Sequence, residues 1–257
     1  MKPKSKHIFL VFLTILIFFP FIFLVLLSMA PEWRFPNILP QYFGPDNWQT
    51  ILRSETGLLH SFLISLLISL SVGIVSTLFG FLISRSLYYH PQRKWLNLFT
   101  YFPYILAPVV FGACLSFFFL KMGIFGNITG VIIAQFLIAF PYALIFFSSF
   151  WNKKIKSYED LVATLGGNQW QKYSRVLFPL AKSMLLICFF QTFLISWFEY
   201  GLTSIIGVGK VQTLTIKVFL FIKEANYYYG AISSCLLIFP PVLLLYINKK
   251  YVFKNRV

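Results

Sequence analysis

Residues able to do chemistry are scarce in this chain, and their spacing says more than their number. Seven acidic residues, three histidines and three cysteines are spread over 257 residues. Cys114, Cys188 and Cys235 fall one each in three apolar runs, a spacing that suits neither a metal site nor a disulfide framework, so buried structural cysteine is the expected role. His7, His60 and His90 stand apart at the ends of loops and apolar runs. No pair of acids, no serine with a base and no metal-ligand cluster converges, which argues against a membrane-embedded enzyme. The one Gly-Lys, in residues 204–211 (SIIGVGKV), fails the phosphate-loop pattern, because Ser204 stands at the first glycine position and Val211 where Ser or Thr should reach magnesium. The expectation is a chain with no catalytic residue, metal or cofactor of its own.

Two acidic features remain. Glu199 falls deep in an apolar stretch, and an ionisable group there costs at least a few kcal/mol unless it faces a bundle interior or a water-filled cavity. It is a candidate for lining a translocation path. The alternatives are a hydrogen-bonded glutamate that holds helices together, or one near the interface if the span ends early. The second feature is a polar island, residues 157–179 (SYEDLVATLGGNQWQKYSRVLFP), set between apolar runs. Ser157 and Asp160 fit S-x-x-[DE], which predicts a helix start at Ser157. Gly166 sits where a left-handed C-terminal residue is wanted, and Gly167 is read as loosening the turn after it. Asn168, three residues before Gln171, predicts a second start, and Pro179 predicts that this second helix ends before it. Helix, tight turn, helix then lies along the membrane surface and presents Leu161, Val162, Leu165 and Trp170, which need cover.

The elements that must position these residues are membrane spans. The chain is 58% hydrophobic and 11% charged, with a mean hydropathy of +0.77. These values place it in the membrane class. Crossing a hydrocarbon core takes roughly 20 apolar residues, and six stretches qualify, near 8–29, 60–83, 98–120, 130–151, 183–206 and 229–247. The first is expected to be a retained helix and not a signal peptide, since its apolar run is too long and Pro31-Glu32-Trp33 offers no small-residue cleavage pattern. The expected fold is all-α and polytopic, one transmembrane domain over residues 1–257.

Orientation follows from the basic residues. With six spans, 16 of the 22 Lys and Arg residues fall on the side holding both ends and the island, and 6 on the other. Both termini and the island are therefore expected to be cytoplasmic. The net charge of +15 is accounted for by this topology, so nucleic acid is not an expected partner. Residues 30–59, rich in Pro, Gly and aromatics, read as a short structured cap on the outer side, and Pro103, Pro108, Pro141 and Pro240-Pro241 as helix kinks. No repeat divides the chain into related halves.

Asp160-Leu161-Val162, then Gly166, then Val176-Leu177-Phe178-Pro179 resembles the E-A-A-x-x-x-G-x9-I-x-L-P signature of membrane subunits of binding-protein-dependent ATP-binding-cassette importers. Residues 104–112 (YILAPVVFG), 123–130 (GIFGNITG), Phe140-Pro141-Tyr142, Arg85, Glu199-Tyr200-Gly201 and Val211-Gln212-Thr213-Leu214 are similar to the same pattern. The likeness covers most of residues 60–247 and is nearest the branch that handles polyamines, ferric iron, thiamine, sulfate or molybdate, and phosphonates. Asp160 stands for the signature glutamate, Leu161-Val162 for the two alanines, Gly167 for a common alanine, and His60-Ser61 for the usual Asn-Ser.

The resemblance implies a permease subunit forming half of a translocation path. Its partners would be a cytoplasmic ATPase dimer, a second permease subunit (a copy or a related chain), an extracytoplasmic solute-binding protein and membrane lipid, in a bacterial cytoplasmic membrane. By matching position it implies that Glu159, Asp160, Leu161, Val162, Leu165, Gly166, Gly167 and Trp170 form the ATPase-coupling site. The rival is a free-standing secondary transporter with Glu199 as coupling-ion residue, and dependence on an ATPase separates the two.

Overall fold

The computed structural model describes residues 3–30, 42–45, 48–49, 57–89, 100–101 and 105–249. Among them the regular structure is helical and no strand occurs. The helices are α1 (Pro3–Ser28), α2 (Leu58–Tyr89), α3 (Pro108–Lys121), α4 (Ile128–Ser148), α5 (Lys153–Thr164), α6 (Phe178–Trp197), α7 (Gly201–Gly207), α8 (Leu214–Lys223) and α9 (Tyr227–Asn248). A three-residue turn, Gln169–Gln171, and a π-helical segment, Lys172–Leu177, lead into α6.

Among the described residues, five stretches are long and apolar enough to cross a membrane: Phe9–Ser28, Leu58–Tyr89, Ile128–Ser148, Gln169–Trp197 and Tyr227–Asn248. The 14-residue α3 is a shorter apolar helix, and part of the third expected span lies outside the described residues. The chain is an all-α polytopic membrane protein. Four of these helices overlie the first, second, fourth and sixth expected stretches, whereas the helix at the fifth differs from its expected range. It begins at the island and ends at Trp197, and 201–207 is a separate helix, so Glu199 lies in the link between helices. Apolar composition continues through Leu202 and Ile206 because α7 packs against α3 and α4, and composition alone does not separate a buried short helix from the end of a span.

Proline placement differs from expectation in one case. Pro108 opens α3 in its first turn, where a missing N–H costs nothing, so it starts a helix and kinks none. Helices α4 and α9 continue through Pro141 and Pro240-Pro241, while Pro103 and most of the expected cap at 30–59 lie outside the described residues. The cysteines also divide. Cys188 is buried, Cys235 is half-buried, and Cys114 is exposed on α3, contrary to the buried role expected of all three.

Two compact units can be distinguished, one of Met1–Ile64 with Thr213–Pro240, the other of Ser65–Gln212 with Pro241–Val257. In the first, the α1 side chains from Phe9 to Phe23 stay mostly exposed, whereas α8, capped by Thr213, buries Leu214, Val218 and Phe221. In the second, Phe81 of α2 is fully buried. Its ring lies 5.3 Å from Phe147, 5.1 Å from Trp151 and 5.6 Å from Phe178, and Trp151 Nε1 donates to Ser84 Oγ at 2.8 Å. This aromatic cluster, with Ile155 and Leu177, seats both arms of the island on the ends of α2, α4 and α6.

Candidate functional site

The first arm of the island starts earlier than its Ser-Asp pattern predicts. Asn152 is the N-cap, its side chain accepting from Ile155 N at 3.0 Å, and Ser157 lies inside α5 with its hydroxyl donating to Lys153 O. Asparagine is among the strongest N-cap residues, and the extra turn sets Ile155 and Glu159 one above the other on a buried stripe. Asp160, Leu161 and Thr164 fall on the outer face.

The end of α5 is a complete left-handed stop. Gly166 has φ +73°, its N–H donates to Ala163 O at 3.1 Å, and Gly167 N–H donates to Val162 O at 2.9 Å. Those are the paired bonds of a Schellman motif. The two glycines serve different needs. A Cβ at Gly166 would meet open space, so its φ alone demands glycine, whereas one at Gly167 would sit 2.6 Å from Val162 Cγ1 and 2.9 Å from Val162 O. Gly167 therefore tightens the turn it was expected to loosen.

The second arm opens on the expected capping box, with Gln171 N donating to Asn168 Oδ1 at 2.8 Å and Asn168 N to Gln171 Oε1 at 2.9 Å. It does not stop before Pro179. The π segment carries the chain into α6, with Phe178 N–H bonded to Tyr173 O, and Pro179 occupies the first turn of α6. A proline ring clashes with the carbonyl four residues back in a regular helix, and the wider π turn relieves that clash while accommodating the absent N–H.

The residues expected to couple do not all point one way. Leu161 (56% exposed), Leu165 (78%) and Trp170 (74%) stand in the open, Asp160 is exposed beside them, and Val162 with Gly166, Gly167, Gln171, Arg175 and Val176 lines a groove between the arms. Glu159 turns inward and is 4% exposed. Its carboxylate meets the guanidinium fork of Arg85, with Nη2 to Oε2 at 2.5 Å and Nε to Oε1 at 3.0 Å. The Arg85 guanidinium also lies 5.4 Å from the Tyr89 ring centre and 5.6 Å from that of Tyr173. Arg85 thus ties the end of α2 to α5 and the π segment. The two tyrosines escaped the sequence reading, although an aromatic residue one turn after a lone arginine at a span end is a usable signal.

Glu199 caps a helix. Its Oε1 accepts from Leu202 N at 2.6 Å, and its Oε2 accepts from Thr203 N at 2.9 Å and Thr203 Oγ1 at 2.7 Å. Thr203 Oγ1 in turn accepts from Gln135 Nε2 at 2.8 Å, Gln135 Oε1 accepts from Ser196 Oγ, and Ser196 pairs with Ser69 at 3.2 Å. Ser69, Gln135, Ser196 and Thr203 are all buried, and none was singled out from the sequence. Their signal was weak, single polar side chains inside apolar runs. Among the described residues no three His, Cys, Asp or Glu side chains gather as metal ligands.

Residues 76–255 match the family described as binding-protein-dependent transport system inner membrane component. Among curated relatives, the chain is 24% identical over 234 residues to a probable sulfate transport system permease protein of Chlorella vulgaris, covering 82% of this chain and 87% of that one. It is 24% identical over 250 residues to the probable transport system permease protein NifC of Clostridium pasteurianum, covering 90% and 84%. Against the ferric transport system permease protein FbpB of Actinobacillus pleuropneumoniae it is 26% identical over 216 residues, covering 75% of this chain and 31% of the longer protein.

Proposed function

Because this chain belongs to the binding-protein-dependent transport system inner membrane component family, we propose that residues 157–179 are where a separate cytoplasmic ATPase docks. As a member of that family the chain is a transmembrane permease subunit of an ABC importer, and the free-standing transporter reading gives way to it. ATP hydrolysis belongs to the partner.

The observation that carries the docking proposal is the exposure of Leu161, Leu165 and Trp170 on a hairpin of helices held rigid at every joint. Large apolar side chains concentrated on an otherwise polar segment are suited to a partner's groove, and Trp is a frequent anchor in such grooves. The buried stripe of the same hairpin is anchored through Ile155 and the Arg85–Glu159 pair, so force applied to the outer face reaches α2 and α6 directly. Closure of an ATPase dimer would draw such loops together and open the bundle to the opposite side. Basic-residue placement supports putting the island and both termini on the cytoplasmic side.

A second permease subunit and an extracytoplasmic solute-binding protein complete the assembly. Relatives named for sulfate and ferric transport make small hydrophilic ions the first cargo class to assay. Glu199 is proposed as the residue that orders α7 beside the path, acting through its hydrogen bonds.

The test is cross-linking with single cysteines at Leu161 and Thr164 in a cysteine-free background, against the soluble ATPases of the native cell. An adduct with a nucleotide-binding subunit whose yield changes with ATP is the expected result. A folded, active protein that gives no adduct and co-purifies with no ATPase would overturn the docking proposal.

A further inference from the structure

We propose that Gln135 and Thr203 are positioning residues that make α7 follow α6, so that movement of the island is delivered to the opposite end of the span. This inference rests on the reading that the island docks an ATPase.

The 20 residues of α6 separate the island from α7 by about 30 Å of continuous helix. The π segment joins the island to α6 with no non-helical residue between them, so displacement of the second arm is passed along the helix axis. At the far end continuity stops. Only Phe198, Glu199 and Tyr200 link α6 to α7, and Tyr200 has left the helical conformation with φ −121°. A three-residue link of this kind transmits position poorly unless side chains brace it.

The brace is the polar chain. Ser196 near the end of α6 donates to Gln135 of α4, and Gln135 donates to Thr203 of α7 at 2.8 Å. Thr203 donates to Glu199 in the link at 2.7 Å. One amide, with one acceptor and one donor engaged, therefore clamps three helices, and both of its partners are fully or nearly buried. Ser196, Gln135 and Thr203 are buried, so breaking a bond between them leaves a buried polar group to satisfy and costs more than breaking one in water. Main-chain support comes from the other side, where Gly126 N donates to Ile206 O at 2.8 Å. Packing and these bonds hold α7 against α3 and α4; the side-chain chain through Gln135 is what registers it to α6.

The test uses the complex purified with its ATPase from native membranes, carrying a single cysteine at Val208, the exposed residue ending α7, or at Thr164 on the island. Maleimide labelling rates are compared without nucleotide and with ATP plus vanadate. With Cys114, Cys188 and Cys235 replaced and no other change, several-fold changes are expected at both positions. With Thr203→Val, which keeps shape but removes the hydroxyl, the change at Val208 should vanish while that at Thr164 persists. Thr203→Ser should restore the change at Val208, and Gln135→Met should reproduce the loss. A Val208 response that survives Thr203→Val and Gln135→Met would overturn the inference and leave the docking reading standing. No response at Thr164 with Gln135 and Thr203 intact would overturn the docking reading, and this inference with it.

Discussion

Arg85 and Glu159, 74 residues apart, meet as a forked ion pair with a shortest contact of 2.5 Å, and the glutamate is almost wholly buried by it. The acid therefore belongs to the mounting of the island. Its neighbour Asp160, one residue on and exposed, belongs to the outer face.

Arg85→Gln should leave a buried carboxylate without its charge partner. Breaking such a pair costs about 3 kcal/mol, at the low end of the buried range because the Arg85 side chain is 23% exposed. Faster proteolysis within residues 157–179 and a lower melting temperature in detergent are expected. Arg85→Lys should recover only part of the loss, since a point charge does not reproduce the fork.

Gly166 and Gly167 should respond to different substitutions. Gly166→Asn should be tolerated, because asparagine accepts a left-handed φ, while Gly166→Val should cost about 2 kcal/mol and uncouple transport with membrane insertion intact. At Gly167 even alanine should disturb the turn, since its Cβ would lie 2.6 Å from Val162 Cγ1 and 2.9 Å from Val162 O. ATP-dependent cross-linking from Thr164 measures both series, and equal tolerance at the two sites would contradict the assignment.

Trp170→Ala removes a side chain that is 74% exposed, so the melting temperature of the isolated chain should hardly move. Loss of an interface anchor is worth about 2 kcal/mol, or roughly 30-fold in affinity for the ATPase. Co-purification titrated against ATPase concentration reads the shift. A destabilised chain with unchanged affinity would assign Trp170 to packing.

Glu199→Gln leaves one acceptor oxygen where two now receive three donors. A weaker cap should lower stability by about 1–2 kcal/mol and impair transport, with ATPase docking spared. Binding of the ATPase and the melting temperature, measured on the same preparation, separate this from an effect at the island.

Much of the architecture was legible in the sequence because it is local or solvent-driven. The spans follow from apolar run length, since backbone groups in lipid must bond within their own helix. The Schellman stop at Gly166 and the capping box at Asn168 follow from contacts reaching no more than five residues. Local rules failed where two local signals competed or a distant element intervened. Asn152 outranked Ser157 because the extra turn brings Ile155 onto the aromatic cluster, and Pro179 did not stop the chain because a π segment made room for it.

The sequence by itself determined a multi-span helical protein and predicted a polar helix, tight turn and helix presenting Leu161, Val162, Leu165 and Trp170. Only the tertiary structure decided that Glu159 faces Arg85, that Glu199 caps α7, and that Gln135 bridges Ser196 and Thr203. The reason is physical. Hydrophobicity and capping act over a few residues and are written in order along the chain, whereas a buried polar group takes whichever partner helix packing brings within about 3 Å, and no spacing rule records that choice.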